Sequence, residues 1–312
     1  MGRRKRVAVV GAGIAGLTCA RRLAEGGVEV RVFDKGRAVG GRMATRRQNG
    51  RQLDHGAQFF TARSESFRAV VSDWLAAGVV AEWTPEAPAR FRSRARFVGR
   101  GMNRGLPELL ARDLDVSLQT EVAPLPGGGE LHDAEGMALG HFDHIVVTAP
   151  IAQTARLVAP LGLDALLTRA SHAPCWAVLL ELSSRPCRED VLLDHGPLAW
   201  MACDSSKPGR PPGETWVLHA TPQWTRANLE LAPAAVTERL VRAFGAAVGR
   251  AVEPSFAVAH RWRYAQVEQA VGQPCLHDPS RGVTIAGDGL LAPRIEAAWE
   301  SGHGAAEHVL AG

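Results

Sequence analysis

The 312-residue sequence predicts an α/β fold in which a domain with a parallel sheet is joined to an α+β domain with a mostly antiparallel sheet. Three observations support this fold class. A strand, a glycine turn, a helix and a second strand follow one another at the N-terminus. Short extended pieces separated by glycines occupy residues 121–149, and strand-like runs in the middle of the chain indicate a separate layer.

The N-terminal elements form a β–α–β unit. Residues 7–10 are a short run rich in β-branched side chains, residues 14–25 have helical spacing, and residues 28–33 form the next strand. Residues 121–149 then predict a three-stranded meander, which returns the chain to the parallel sheet through the apolar run 145–147.

The rest of the chain is predicted to form further strands, turns and helices. They are the strands 176–182 and 216–220, the Pro/Gly turn 207–213, the helix 234–248, the strand 283–286, the turn 287–289 and the terminal helix 295–310. We expect the first domain to comprise residues 1–62, 98–150 and 270–312. The second domain is expected to comprise residues 63–97 and 151–269.

The composition argues against several classes of protein. Hydrophobic residues make up 46% and charged residues 22% of the chain, and no apolar run reaches the roughly 18 residues of a membrane span. The net charge is +4, but the arginines are dispersed, so we expect neither a nucleic-acid nor a membrane partner. Five widely spaced cysteines without a CxxC pair predict reduced thiols, a cytoplasmic protein and no metal site.

A GxGxxG motif joins the first strand to the first helix. Gly11 allows the tight turn, Gly13 lets the backbone approach a pyrophosphate, and Gly16 permits close helix packing. Asp34 ends the second strand about 20 residues later, where a carboxylate would accept hydrogen bonds from ribose hydroxyls. These features predict a Rossmann-type dinucleotide site; the alternative is a Rossmann-like fold without a ligand.

Two further segments favour FAD over NAD. Gly41 and Arg42 belong to a glycine-rich loop whose guanidinium can form paired hydrogen bonds to phosphate oxygens, although a surface turn is the alternative. Gly287 and Asp288 lie between a strand and the terminal helix, where the carboxylate can reach the ribityl chain. The helix start would point N–H groups at the flavin, whereas the competing interpretation is a helix cap.

Seven segments occur in order along nearly the whole chain: GAGIAGL, FDKGRAVGGRMATRR, LDHGAQFFTAR, GMNRGLPELL, WVLHAT, AHRWRYA and AGDGLLAPRIEAAWESG. Through them the sequence resembles the bacterial renalase-like branch of the FAD-dependent amine oxidase superfamily. The glycine motifs mark the wider superfamily, whereas DHGAQFFTAR and HRWRYA are more specific to this branch.

The resemblance implies a set of residues that bind FAD, with residues 56–58 beside the isoalloxazine ring and Val122 beside the adenine. They are Gly11, Ala12, Gly13, Ile14, Ala15, Gly16, Asp34, Lys35, Gly41, Arg42, Met43, Gly56, Ala57, Gln58, Val122, Gly287, Asp288, Ile295, Glu296 and Ala297. The residues expected to line the substrate cavity are Phe59, Trp200, His219, Arg261, Trp262 and Tyr264.

The sequence departs from relatives at several of these positions. Gly289 replaces an aromatic residue in a GDW-like turn, Pro293 follows shortly after, and Ala297 replaces a glycine at the helix start. Phe59 stands where tyrosine is frequent, and His55 where an apolar residue is usual. These changes are expected to alter the fit of the flavin or the substrate.

Two other chemistries are disfavoured. Asp54 and His55 form no hydrolase site, because the sequence has no GxSxG elbow and no activated cysteine. His132, His141 and His144 are interpreted as polar residues on a hydrated hairpin and not as metal ligands.

The resemblance implies an oxidase that converts the 2- and 6-dihydro isomers of NAD(P)H to NAD(P)+ by hydride transfer to flavin N5, with O2 giving H2O2. A dihydropyridine is already a hydride donor, so we expect positioning to dominate and assign no catalytic side chain. We expect non-covalent FAD and a monomer or weak dimer. Two alternatives stay open: an amine oxidase for a polyamine or aromatic amine, and a flavin-binding protein without turnover.

Overall fold

A computed structural model describes residues 4–48, 50–91 and 94–312. The chain divides into two compact units: Met1–Arg42, Leu106–His172 and Val267–Gly312 form the first, and Met43–Gly105 and Ala173–Gln266 form the second. Residues 43–62 and 98–105 fall in the second unit, and residues 151–172 and 267–269 fall in the first. The sequence-based domain bounds assign each of these ranges to the other domain.

The strands, in chain order, are β1 (Arg6–Val10), β2 (Glu29–Phe33), β3 (Thr45–Gln48), β4 (Arg51–Asp54), β5 (Val80–Glu82), β6 (Phe97–Gly99), β7 (Asp115–Ser117), β8 (Glu130–His132), β9 (Ala138–His141), β10 (His144–Val147), β11 (Ser171–Leu182), β12 (Val191–His195), β13 (Leu198–Cys203), β14 (Glu214–Ala220), β15 (Phe256–Gln269), β16 (Cys275–Asp278) and β17 (Val283–Ala286).

The α-helices are α1 (Ile14–Glu25), α2 (Glu65–Ala76), α3 (Gly105–Ala111), α4 (Ile151–Val158), α5 (Pro222–Ala227), α6 (Pro233–Val248), α7 (Asp288–Leu291) and α8 (Ile295–Ala311). Short 3₁₀ helices occupy Gly41–Met43, Ala89–Phe91, Ala159–Leu161, Asp164–Leu167 and Asp204–Ser206.

The first unit is built on a six-stranded sheet with the order β16–β17–β10–β1–β2–β7. Five of its strands pair in parallel, and β16 joins one edge in the antiparallel direction. The central strands β1, β10 and β17 are buried almost throughout, as is typical of a parallel sheet. The predicted parallel sheet is therefore confirmed.

Helices α1 and α8 approach each other closely in this unit. A Cβ atom at Gly302 would overlap the carbonyl oxygen of Ala15, so a side chain at this position is excluded by the backbone of α1. This contact fixes the two helices whose N-termini carry the predicted flavin-binding residues.

The predicted bounds of α1 and β17 are confirmed, and α8 ends one residue later than expected. Two expectations are corrected. Residues 287–289 were expected to form a turn, but α7 already begins at Asp288. Of the expected three-stranded meander, β8 and β9 form a hairpin, while the third strand is reduced to a single bridge between Val122 and Asp133.

The expectation of a hydrated histidine cluster is also corrected at one position. His144 lies in β10 and is 5% exposed, and its Nε2 atom lies 2.8 Å from the Thr284 hydroxyl. The same hydroxyl lies 2.7 Å from Nδ1 of His277. Burial lowers the pKa of His144 to about 4, with a smaller contribution from His277.

The second unit contains a five-stranded sheet with the order β12–β13–β14–β11–β15. The strands β11 to β14 pair in the antiparallel direction, which confirms the predicted antiparallel sheet. One face packs against α6 through a core that includes Trp176, Trp216, Leu240 and Phe244, each at most 1% exposed. Burial of these large apolar side chains stabilises the unit.

Candidate functional site

The glycine turn of the first unit has the backbone that a dinucleotide site needs. Gly11 has a φ of +112°, a conformation that side chains disfavour. A Cβ atom at Gly16 would overlap the Gly11 carbonyl oxygen, so the helix packs directly on the turn. At Gly13, by contrast, nothing lies within 4 Å of the position that a Cβ atom would take.

Helix α1 begins without a side-chain cap. Its N-cap is Gly13, which has no side chain to accept a hydrogen bond from the first turn. The first N–H groups of the helix and its positive dipole end can therefore face an anion. Together with the open space at Gly13, this arrangement fits the pyrophosphate of FAD. The neighbouring predicted residues Ala12, Ile14 and Ala15 are at most 5% exposed and build the turn with their backbone.

Asp34 organises the backbone around this turn. Its carboxylate accepts hydrogen bonds from the N–H groups of Ala12 and Gly36, each at 2.6 Å. Gly40 also donates to the Ala12 carbonyl oxygen at 2.8 Å, and a Cβ atom at Gly41 would lie 3.5 Å from the Gly13 Cα. The glycine-rich loop therefore packs directly against the glycine turn.

Arg42 and Asp288 form a two-bond ion pair. Nη1 of Arg42 donates to Oδ2 of Asp288 at 2.8 Å, and Nη2 donates to Oδ1 at 2.6 Å. The sequence predicts both residues as FAD ligands but does not indicate that they bind each other. The paired geometry fixes the plane of the guanidinium, as is typical of arginine with a carboxylate.

The departure at Gly289 is compensated within the first unit. A Cβ atom at Gly289 would lie 2.5 Å from Cγ1 of Ile151 and 3.2 Å from Cε1 of His172. These two side chains occupy the space beside α7. Burial, with a smaller contribution from the nearby Arg42, lowers the pKa of His172 to about 4.

The start of α8 carries three predicted FAD residues, and their side chains differ in exposure. Ile295 is half-buried, whereas Glu296 and Ala297 are 1% and 0% exposed. The methyl group that Ala297 adds is therefore fully buried. Gly287, with a φ of +134°, donates its N–H to the hydroxyl of Ser301 at 2.7 Å, a residue that sequence reasoning missed.

Two other predicted FAD residues of the first unit have local partners. Lys35 forms an exposed ion pair with Glu121 at 3.4 Å. Val122, expected beside the adenine, is 7% exposed and forms the bridge to Asp133. Thr148, which sequence reasoning missed, donates its hydroxyl to the Val10 carbonyl oxygen at 3.0 Å beside the glycine turn.

In the second unit, Gln58 is engaged at both ends of its side-chain amide. Its Nε2 donates to the carbonyl oxygens of Asp54 and of Gly56, the latter at 3.1 Å. Its Oε1 accepts a hydrogen bond from Nζ of Lys207 at 3.2 Å. Because the ammonium can only donate, this bond also defines which way the amide points.

Two other carbonyl groups of loop 54–58 are also held by side chains. The His55 carbonyl oxygen lies 3.3 Å from Nε2 of His219 and accepts from Nε1 of Trp262 at 2.9 Å. The Ala57 carbonyl oxygen accepts from Nδ2 of Asn103 at 2.7 Å. His219 and Trp262, expected in the substrate cavity, thus bind the loop that precedes Gln58.

A buried charged cluster supports this loop. Asp54 and Asp204 are fully buried, and Lys207 is 2% exposed. Nζ of Lys207 lies 2.5 Å from Asp204 and 3.6 Å from Asp54, while Arg210 donates to Asp54. Burial opposes the charge of Asp54, but Lys207 and Arg210 hold its pKa below the ordinary value. Sequence reasoning missed the cluster, whose members are up to 156 residues apart.

Three imidazoles near the same loop are uncharged near neutral pH. Burial lowers the pKa of His55 to about 3 and that of His219 to about 4. It also lowers the pKa of His260, whose ring lies 4.6 Å from that of His55. Trp262 stacks on His55 with centroids 5.2 Å apart. The three imidazoles therefore add no positive charge beside the loop near neutral pH.

An aromatic cluster in the second unit consists of Phe59, Trp83, Phe91 and Trp200. The Phe59 ring lies 5.3 Å from Phe91 and 5.5 Å from Trp200, between centroids. Both Phe59 and Trp200 are predicted substrate residues, and the structure brings them together. Arg96, which sequence reasoning missed, places its guanidinium 3.5 Å from the Phe91 centroid.

Three further predicted residues lie in the second unit: Arg261, Tyr264 and Met43. Arg261, expected to meet substrate phosphates, instead donates to the Glu230 carboxylate and to the Leu229 carbonyl oxygen, both at 2.7 Å. Tyr264 lies on β15 and is half-buried. Met43 is 3% exposed and fills the core beside β3.

Two further properties concern the described part of the chain. Within residues 4–48, 50–91 and 94–312, no three His, Cys, Asp or Glu side chains are arranged as a metal site. None of the helices described combines the length and the apolar character that crossing a membrane requires.

Comparison with protein families gives two matches that together cover most of the chain. Residues 9–74 match the NAD(P)-binding Rossmann-like domain. Residues 80–310 match the family described as flavin containing amine oxidoreductase. The first match includes the glycine turn, Asp34 and Asp54, and the second includes Arg96, Asp204, Lys207 and the start of α8.

Individual proteins are similar over different extents. Protoporphyrinogen oxidase 2, chloroplastic/mitochondrial, of Arabidopsis thaliana is 41% identical over 69 residues, which are 22% of this chain and 14% of that protein. A candidate protoporphyrinogen oxidase from Exiguobacterium sp. 255-15 has a similar structure, with a TM-score of 0.78, 13% identity and full coverage of both chains. A triple mutant of putrescine oxidase, redesigned in cofactor binding, has a TM-score of 0.75 and 13% identity over 99% of each chain. At this identity the structural matches show the fold.

Proposed function

We propose that this chain, which belongs to the flavin-containing amine oxidoreductase family, is a renalase-like FAD-dependent oxidase of the 2- and 6-dihydro isomers of NAD(P)H. One dihydro isomer, one proton and one O2 give one NAD(P)+ and one H2O2. FAD, when bound, supplies the hydride acceptor at N5 and returns the electrons to O2.

The residues of the first unit would bind the cofactor. The N-terminus of α1 and the open space at Gly13 suit a pyrophosphate, while Asp34 holds the glycine turn through the Ala12 N–H. The Asp288 carboxylate orients the Arg42 guanidinium. We assign FAD to this set because each contribution is a backbone or charged group suited to a phosphate or a ribose.

We base the choice of substrate on the positive charge of Arg96, which lies beside the aromatic cluster. Phe59 and Phe91 already stack on the guanidinium of Arg96, which lies 5.3 Å and 3.5 Å from their centroids. A protonated amine would be repelled there, whereas a dinucleotide with phosphate groups would be attracted. The buried carboxylates Asp54 and Asp204 are engaged with Lys207 and Arg210 and offer no site for an ammonium.

The residues of the second unit would position the substrate without transferring a proton. A dihydropyridine donates hydride without prior deprotonation, so no general base is needed. His55 and His219 have lowered pKa values through burial and stay uncharged near neutral pH.

We also propose that FAD is bound non-covalently, in a cytoplasmic protein that is a monomer or weak dimer. All five cysteines are free thiols. Burial raises the pKa of Cys175 to about 12 and that of Cys203 to about 11, so neither is an activated nucleophile. Flavin should appear in the supernatant after acid precipitation, and flavin that stays with the precipitate would contradict this.

An anaerobic visible spectrum of the holoenzyme tests the activity. We expect a mixture of dihydro-NAD(P) isomers, made by non-selective chemical reduction, to bleach the flavin band within the mixing time. Air should restore the band and generate one H2O2 for each dihydro isomer oxidised. The control is the 4-dihydro isomer, which is ordinary NADH made enzymatically. It should bleach the flavin band far more slowly.

Two other outcomes would each select an alternative. Bleaching by putrescine or an aromatic amine, at a rate that rises with pH as the amine loses its proton, would establish an amine oxidase. A flavin that neither class of substrate reduces would indicate a flavin-binding protein without turnover. Either result would overturn the dihydro-NAD(P) assignment.

A further inference from the structure

The guanidinium of Arg96 is held by aromatic faces and not by an acid. Its Cζ lies 3.5 Å from the Phe91 centroid and 5.3 Å from that of Phe59. Nη1 donates to the Arg94 carbonyl oxygen at 2.7 Å. In the described part of the chain, no carboxylate lies within ion-pair distance of Arg96.

Neighbouring cations in the second unit differ from Arg96 in this respect. Arg90 pairs with Asp194 at 2.8 Å, and Lys207, whose Nζ lies 5.6 Å from the Trp83 centroid, pairs with Asp204 at 2.5 Å. Arg96 is thus a half-buried cation beside the aromatic cluster whose charge no acidic side chain of the described chain balances.

Two buried donors of the same group lack acceptors. Nε of Arg96 and Nε1 of Trp200 are both shielded from solvent, and neither has a hydrogen-bond partner among the described residues. The two side chains share Phe59 and Phe91 as neighbours, because the Trp200 centroid lies 5.5 Å and 5.2 Å from theirs. Buried donors are normally satisfied, so two of them in one cluster point to a ligand with acceptor oxygens.

We propose that Arg96 is a specificity-determining residue that binds a phosphate group of the substrate dinucleotide, with Trp200 donating a second hydrogen bond to the same ligand. The proposal rests on the proposed function and extends it, because it identifies which part of the dinucleotide the second unit recognises. A guanidinium suits phosphate oxygens through charge and through its array of N–H donors. Burial lowers the pKa of Arg96, a desolvation cost that a bound anion would offset.

The test compares substrates with and without phosphate on holoenzyme variants. The substrates are 6-dihydro-NAD and the uncharged 1-methyl-1,6-dihydronicotinamide. For Arg96→Gln we expect the KM for the dinucleotide to rise roughly 10- to 100-fold, the loss typical of one charge-assisted hydrogen bond pair, with kcat changed less than about 3-fold. The KM for the uncharged substrate should stay the same.

Further variants separate charge from packing. Arg96→Lys should recover part of the affinity, and Trp200→Phe, which keeps an aromatic ring but removes the N–H, should raise the same KM by a smaller factor. Arg90→Gln is the matched control, because Arg90 is paired with Asp194 and both side chains are more than 60% exposed. It should behave as the parent enzyme. The dinucleotide KM of the parent should rise with salt, and that of Arg96→Gln should rise less.

Three results would overturn the proposal: an unchanged dinucleotide KM in Arg96→Gln, an equal loss for the uncharged substrate, or an equal loss in Arg90→Gln. Failure of the proposed function is distinguishable. If the parent holoenzyme oxidises neither substrate, calorimetric titration with NADP+ still tests Arg96. Binding by the parent that Arg96→Gln loses would support the phosphate site, and no binding by the parent would reject it.

Discussion

The guanidinium of Arg42 and the carboxylate of Asp288 are joined by two hydrogen bonds of 2.8 and 2.6 Å, although 246 residues separate them in the chain. Both are expected to bind FAD, and their pairing makes Asp288 the residue that orients Arg42. The N-terminus of α7 is therefore coupled to the glycine-rich loop.

This pairing predicts how the two residues contribute to FAD binding. Arg42→Lys keeps the charge but loses the two-bond geometry, so we expect FAD affinity to fall roughly 10-fold. Asp288→Asn should weaken binding at least as much, because it leaves the partly buried guanidinium without its counter-charge. FAD titration of apoprotein measures both. Arg22→Gln, which breaks the exposed pair with Glu307, is the control. Unchanged affinity in Asp288→Asn would contradict the coupling.

The glycine turn predicts a contrast between two alanine substitutions. Gly16→Ala places a Cβ atom on the Gly11 carbonyl oxygen, so we expect it to lower the free energy of unfolding by about 2 kcal/mol or more. Gly13→Ala has open space and a φ of −82°, so folding should be preserved. Its methyl group would instead stand where the pyrophosphate is expected, and FAD affinity should fall. Urea denaturation and FAD titration distinguish the two. If the Gly13→Ala variant binds FAD with normal affinity, the pyrophosphate does not lie beside Gly13.

The space beside Gly289 predicts a coupled pair of substitutions. Gly289→Ala should lower the free energy of unfolding by about 1 to 3 kcal/mol, because its Cβ atom would lie 2.5 Å from Ile151. Ile151→Ala should cost about 2 to 4 kcal/mol by itself through loss of buried surface. In the double variant the methyl group enters the vacated space, so the losses should sum to less than the two single values. Strict additivity would show that Ile151 does not fill the position.

The buried histidines predict that stability falls with acid. Burial lowers the pKa of His219 from 6.5 to about 4, so the folded protein binds fewer protons at this residue than the unfolded chain. Its contribution to stability is present above pH 6.5 and is lost as the pH falls toward 4. His219→Gln keeps a donor for the His55 carbonyl oxygen but cannot titrate. We expect its melting temperature to fall less between pH 7 and pH 5 than that of the parent. Identical pH profiles would show that His219 is not the group responsible.

Sequence patterns predicted those parts of the fold that depend on local geometry. The helix at residues 14–25 and the strand at 283–286 have the predicted bounds, because periodicity and flanking glycines define them within a few residues. The start of α7 at Asp288 was not predicted, because a helix of four residues has too little periodicity to be recognised.

In the candidate site, the sequence motifs did not predict which groups the individual side chains contact. Gln58 and Arg261 were identified by their motifs, but their hydrogen-bond partners are Lys207 and Glu230. Motif membership indicates where a residue lies along the chain and says little about what its side chain contacts. Arg96 belongs to none of the functional motifs and emerges because its guanidinium stacks on Phe91.

The sequence by itself determined the parallel sheet, the glycine turn and Asp34, because glycine conformations, hydrophobic periodicity and the spacing between them are properties of neighbouring residues. Only the tertiary structure decided that Arg42 pairs with Asp288, that Ile151 occupies the space beside Gly289, and that loop 54–58 rests on buried charges. These relationships join residues far apart in the chain, and a charge or a cavity is matched only once folding has brought both partners together.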